Sequence, residues 1–109
     1  MLSPNLPEPE LLKTILLPLL EDFQYWFGRS CNFLETEDLS FLSQEEQAQM
    51  LEQIRQAQKE VTTTKSLFEA TDGQVGVEMP ILLSWHKLLT DCWQTSTRFR
   101  LEQSKGVES

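Results

Sequence analysis

Leu12, Leu16, Leu19, Leu20, Phe23, Trp26, Phe27, Ser30 and Leu34 keep returning at intervals of three and four residues, and this spacing constrains the fold more than any other feature. At about 100° per residue, such a run lies along one side of an α-helix. A half-buried strand would alternate at every second residue instead. Pro9 suits a first helical turn. A helix is therefore predicted from about Pro9 to about Glu35, with Ile15 and Phe33 at the margins of its apolar face. Pro18 falls inside it. Proline has no N–H to donate and its ring crowds the preceding turn, so it should kink this helix or split it in two.

Two further segments carry the same period. Ser43-Gln44-Glu45-Glu46 reads as a capping box, in which the Ser hydroxyl accepts from the third helical N–H and Glu46 reaches back. The second helix is predicted over 44–71, with a narrow apolar stripe of Met50, Leu51, Ile54, Ala57, Val61 and Phe68. Val61-Thr62-Thr63-Thr64 is a β-branched run of weak helix propensity inside it. Asp72-Gly73 supplies the stop. The third helix opens near Pro80 and is predicted to about Gln103. Its core face is Ile81, Leu82, Trp85, Leu88, Leu89, Cys92, Ser96 and Phe99. Between the first two helices, Leu39, Phe41 and Leu42 should tuck under the bundle. Short connections make sequential helices antiparallel neighbours. The expected fold is all-α: an antiparallel three-helix bundle over 9–103, with a flexible Pro-punctuated arm at 1–8 and a short polar tail at 104–109.

Length and composition agree with one such domain. The chain has 109 residues and only 4 glycines, few for a fold rich in turns. Its net charge is −8. Residues 1–78 carry 14 acidic and 5 basic side chains. An acidic body argues against binding a nucleic-acid backbone, which takes a basic stripe. The most apolar stretch, Leu11–Leu20, contains Lys13 and ends on Glu21-Asp22, too short and too charged to span a bilayer. Residues 1–10 lack the basic start and apolar run of a signal peptide. The sequence thus predicts a cytoplasmic protein, peripheral to a membrane at most. Cys31 and Cys92 form no CxxC pattern, and two semi-buried thiols in a reducing compartment are expected.

Catalytic and metal-binding patterns are missing. His86 is the single histidine, and no Glu-x-x-His pair accompanies it, whereas a di-metal bundle takes two such pairs. Zinc requires several Cys or His at ligand spacing. Asp72-Gly73-Gln74-Val75-Gly76-Val77 lacks the Lys-Ser/Thr of a phosphate loop. The adjacent carboxylates Glu21-Asp22 and Glu45-Glu46 diverge by about 100° on a helix and cannot converge on one substrate. Cys92 and His86 stand about 120° apart on the third helix, a poor dyad. No cofactor and no enzymatic role are expected.

The third helix does carry a second stripe. Leu83, His86, Thr90, Trp93, Thr97 and Leu101 line one side, away from the arc of Lys87, Asp91, Arg98 and Glu102. Arg100 stands apart, at the edge of the core face. A helix with two uncharged faces either sits at the centre of the bundle and buries both, or meets a partner with one of them. In the second case Trp93 is the natural anchor, and the protein is an interaction module that docks on a larger protein or on a second copy. On the first helix, Tyr25 points away from the core with Leu11 and Leu17. The aromatic cluster of Phe23, Trp26 and Phe27 reads as core, with a pocket for a flat apolar ligand or pigment between the first and third helices as the alternative.

Several segments together resemble a known family. Glu8-Pro9-Glu10-Leu11-Leu12-Lys13, the run from Leu19 to Phe27, Phe41-Leu42-Ser43-Gln44-Glu45-Glu46-Gln47, Gly73-Gln74-Val75-Gly76 and Trp85-His86 are similar to a family of small cyanobacterial proteins, a domain of unknown function. The resemblance runs from about residue 8 to 102. It implies a cytoplasmic or thylakoid-associated protein and transfers no catalytic residue.

Overall fold

The structure, a computed structural model, describes residues 9–74 and 76–108, with side chains from 13 to 105 apart from 75. The expected arm at 1–8 lies outside these residues, as do the side chains of Leu11 and Leu12. Three helices account for almost all of the rest: α1 (Pro9–Thr36), α2 (Gln44–Ala70) and α3 (Met79–Glu108). No strand occurs among the described residues.

α1 is continuous through Pro18. Pro18 is exposed, so water can reach the turn that its missing N–H weakens. Leu16 before it and Leu20 and Phe23 after it are all buried in the same core. Packing on both sides of the proline thus holds the two halves in line, at the cost of one helical bond.

Side-chain contacts fix the directions of the helices. From α1 to α2 the paired residues run oppositely: Glu35 meets Arg55 at 2.9 Å, Cys31 meets Gln58, Gln24 meets Thr62, and Glu21 meets Lys65 at 3.9 Å. From α1 to α3 they rise together, in the ring contacts Phe23–Trp85, Trp26–Trp93 and Phe33–Phe99. The bundle is up-down-up. Both α2 and α3 pack on α1, which is therefore the hub.

The connection 37–43 is tied down from two sides. Gln47 Nε2 donates to the carbonyls of Leu34 and Glu37, 2.8 Å each, and so satisfies the open C-terminal end of α1. Leu39 is buried, and Phe41 and Leu42 pack against the core. The capping box forms as the sequence predicts. Glu46 N–H donates to Ser43 Oγ at 3.0 Å, and Ser43 N–H donates to Glu46 Oε1 at 2.9 Å. The Ser43 backbone N–H, and then its side chain, hold the Glu46 carboxyl below the usual glutamate value. A depressed carboxyl adds stability that is present above its unfolded value and is lost as pH falls through the lowered one. Ser43→Ala should cost about 1 kcal/mol in a urea melt at neutral pH. An unchanged midpoint would mean that the connection holds the helix start without its cap.

At the other end of α2, Gly73 N–H donates to Phe68 O at 2.8 Å and Asp72 N–H donates to Glu69 O at 3.2 Å. This is the paired-bond stop of a helix whose next residue turns left-handed. Asp72 takes that conformation (φ 56°), with Gly73 following at 83°. Asp72 is also ion-paired with Lys13 of α1. The Asp72-Gly73 segment is a helix stop in the structure.

The core is Leu16, Leu20, Phe23, Phe27, Cys31 and Leu34 of α1, Leu39 of the connection, Ile54, Ala57, Val61 and Phe68 of α2, and Trp85, Leu89 and Cys92 of α3. Val61, inside the β-branched run, is fully buried, so packing outweighs its weak propensity. Some assignments from periodicity change. Leu19 and Ile81, placed on core faces by the wheel, are exposed at their edges. Leu17, placed outside, packs against the core. Helix α3 starts at Met79 and continues to Glu108, past the point where a polar tail was expected. Residues 104–108 hold no proline, and Lys105 in the last turn suits the negative end of the helix dipole.

Candidate functional site

Because α1 is the hub, α3 is a flanking helix. Trp85, Leu89 and Cys92 bury one of its faces. The second stripe is left outside. Leu83 is 60%, Trp93 44% and Leu101 59% exposed; His86 and Thr97 are exposed and Thr90 is half-buried. The arrangement in which α3 buries both uncharged faces is therefore not the one adopted. The reason is connectivity in space: α3 meets α1 along one line, and nothing described lies on its far side.

The stripe is wider than the six residues the sequence marks. Met79, seven before His86 and fourteen before Trp93, continues it toward the start of α3 and is exposed. On α1, Ile15 and Leu19 lie eleven and seven residues before Trp26, so they share its side of the helix. Both are exposed. Trp26 meets Trp93 edge-on, with ring centroids 5.9 Å apart and an interplanar angle of 88°. Two apolar stripes, one on each helix, thus meet at a pair of tryptophans.

Beyond that pair the helices enclose a groove of about 320 Å³. Trp26, Phe33 and Trp93 supply its aromatic walls, with Leu34, Met50 and Cys92 deeper in it. Arg29 and Arg100 stand in its lining, together with the hydroxyls of Ser30, Thr95, Ser96 and Thr97. The Arg29 guanidinium lies 5.8 Å from the Tyr25 ring centroid and 5.6 Å from that of Trp26, and it donates to Tyr25 Oη at 3.2 Å. Arg100 donates to Thr97 Oγ1 at 3.3 Å. Neither arginine has a carboxylate partner among the described residues, whereas Lys13, Arg55, Lys65 and Lys87 all do.

The groove lies where the sequence allowed a flat ligand, between α1 and α3, but with different walls. Phe23 and Phe27 are core residues, stacked at 5.8 Å, and only Trp26 of that cluster reaches the groove. The arginines escaped the sequence reading. Their signal was present: Trp26, Arg29, Phe33 and Trp93, Thr97, Arg100 each step by three and four.

The two thiols are free and buried. Burial pushes the Cys92 thiol up to about 11, with Ser30 acting in the opposite direction, and burial raises Cys31 as well. A thiol held protonated is a poor nucleophile, so Cys92 gives the groove a soft apolar surface. In a thiol-reagent assay at pH 8, the native protein should react far more slowly than the urea-unfolded chain. Equal rates would mean that the groove opens freely. The fold holds this proton more tightly than the unfolded chain does, so stability is full below about 9 and declines as pH rises from there toward about 11.

Among the described residues, no group of three Asp, Glu, His or Cys could hold a metal ion. No helix among them is long and apolar enough to cross a membrane.

These features define an all-α three-helix bundle with an apolar face left open between its first and third helices. Residues 6–101 match the family described as a protein of unknown function (DUF2605), and the chain belongs to that family. The match bears out the resemblance noted in the sequence and bears on the family alone; the cyanobacterial source that the resemblance implied is not part of it. No curated protein and no solved structure matches the chain.

Proposed function

We propose that this protein is a non-enzymatic docking module that receives an amphipathic helix of another protein on the open face of α1 and α3. The observation that carries the reading is the exposed stripe Leu83, His86, Thr90, Trp93, Thr97 and Leu101. It runs for about 27 Å along α3 at 1.5 Å per residue and is widened by Ile15, Leu19 and Met79. Exposed apolar surface that is continuous rather than scattered marks interaction sites. Two parallel helices side by side form the kind of seam into which a third lays anchors at three- and four-residue spacing. Trp93, half-exposed at the middle of the seam, is the expected energetic centre.

Charge favours a different protein over a second copy. Each chain carries −8, so two copies repel, whereas a partner whose apolar face is flanked by lysines and arginines is drawn in. The location that goes with this reading is the cytoplasm or the cytoplasmic face of a thylakoid, as the family resemblance implies.

The test is capture at low salt, from extracts of the native cells, with tagged wild-type protein and two variants. Leu83→Asp together with Leu101→Asp should reduce the recovered partner at least tenfold, with the circular-dichroism melt unchanged. Leu67→Asp, at an equally exposed site on α2, should recover it in full. A partner retained by the first variant, or a purified protein whose native mass is that of a dimer, would contradict the reading.

A further inference from the structure

We infer that the groove between α1 and α3 is a binding site for a small aromatic anion: a planar ring system carrying a carboxylate, sulfonate or phosphate group. The inference does not rest on the docking reading, because its deciding residues, Arg29 and Arg100, lie outside the docking stripe. Three observations carry it.

The first is shape. About 320 Å³ falls at the small end of ligand pockets, which suits one compact molecule of roughly two or three rings and not a protein segment. The second is the walls. Trp26 and Trp93 stand edge-to-face at 88°, so one of them offers a ring face while the other offers an edge to whatever lies between them and Phe33. Planar π-systems take both arrangements.

The third is charge. The chain has 17 acidic and 9 basic side chains, so most cations can find a carboxylate. Two arginines from different helices nevertheless line the same apolar groove, and no carboxylate lines it with them. Arg29 is held in place by the Tyr25 and Trp26 rings and by Tyr25 Oη; Arg100 is held by Thr97. Both retain donors in a planar fork that fits an oxyanion. Ser30, Ser96 and Thr97 add hydroxyls that can fix its orientation.

The probe is 8-anilinonaphthalene-1-sulfonate, a three-ring aromatic sulfonate, paired with N-phenyl-1-naphthylamine, which has the same rings and no charge. Fluorescence titration of the folded protein should show the sulfonate saturating at one molecule per chain. Arg29→Gln with Arg100→Gln should weaken the sulfonate at least tenfold and leave the neutral probe unchanged. Arg98→Gln, which removes a guanidinium lying over Phe41 outside this groove, should alter neither. The inference is overturned if the sulfonate fails to saturate, if it binds no better than the neutral probe, or if the double variant binds it as the wild type does. None of these outcomes touches the capture experiment with Leu83 and Leu101, so the two readings fail separately.

Discussion

Trp85→Ala should destabilise the bundle by about 3–5 kcal/mol, the range for deleting a buried aromatic side chain. Trp85 is 2% exposed. It meets Phe23 of α1 edge-on at 5.6 Å, and its Nε1 donates to Glu60 Oε1 of α2 at 3.1 Å. One side chain thus ties α3 to both other helices. The contact matters more because α3 rests on α1 through side chains along one line. Domains of this size have about 5–15 kcal/mol in total, so the variant should melt roughly 10–25 °C lower. Trp93→Ala removes the same residue type one helical stretch away and should cost under about 1 kcal/mol, since nearly half of Trp93 already faces water. Equal losses for the two variants would show that the second stripe is core after all.

Phe27→Ala should cost as much, about 3–5 kcal/mol, and by a different route. Phe27 is fully buried in the middle of α1 and stacks on Phe23 at 5.8 Å. The cost of a truncated core residue depends on how far its surroundings can collapse into the space. Here α2 and α3 are both anchored to the damaged helix, so shifting one of them toward the cavity strains its packing elsewhere. The loss should appear as a lower urea midpoint with an unchanged slope, because the same surface is exposed on unfolding. A loss below about 1.5 kcal/mol would mean that the bundle repacks around position 27 and that α1 is less central than its contacts indicate.

The parts of this fold that were legible in the sequence are the local ones. Ser43 and Glu46 are three residues apart, and their mutual bonds need no third party. Asp72-Gly73 stops α2 through bonds to carbonyls within five residues. The core faces follow from a period that each helix carries by itself. Misplacements cluster at the edges of stripes, at Leu19, Ile81 and Leu17, where a helical wheel gives direction but not the curvature of the neighbour. Pro18 left two outcomes open because its effect is decided by packing on both sides, at Leu16 and Leu20.

The candidate site was half legible for the same reason. The stripe from Leu83 to Leu101 is a single-helix pattern and was readable as uncharged; whether it is buried depends on which helix is the hub, and that is a property of three helices together. The arginine pair was hidden further. Arg29 and Arg100 meet only because α1 and α3 run in parallel, with Trp26 beside Trp93 and Phe33 beside Phe99. No single-helix pattern fixes that register.

The most direct test of the docking face is a photo-crosslinking amino acid placed at position 93, with position 67 on α2 as the equally exposed control, followed by irradiation of the native cells and recovery of the tagged chain. A discrete heavier band from position 93 and none from position 67 is the expected result. Bands from both positions, from neither, or at twice the mass of the chain would contradict a specific partner seated on the α1–α3 face.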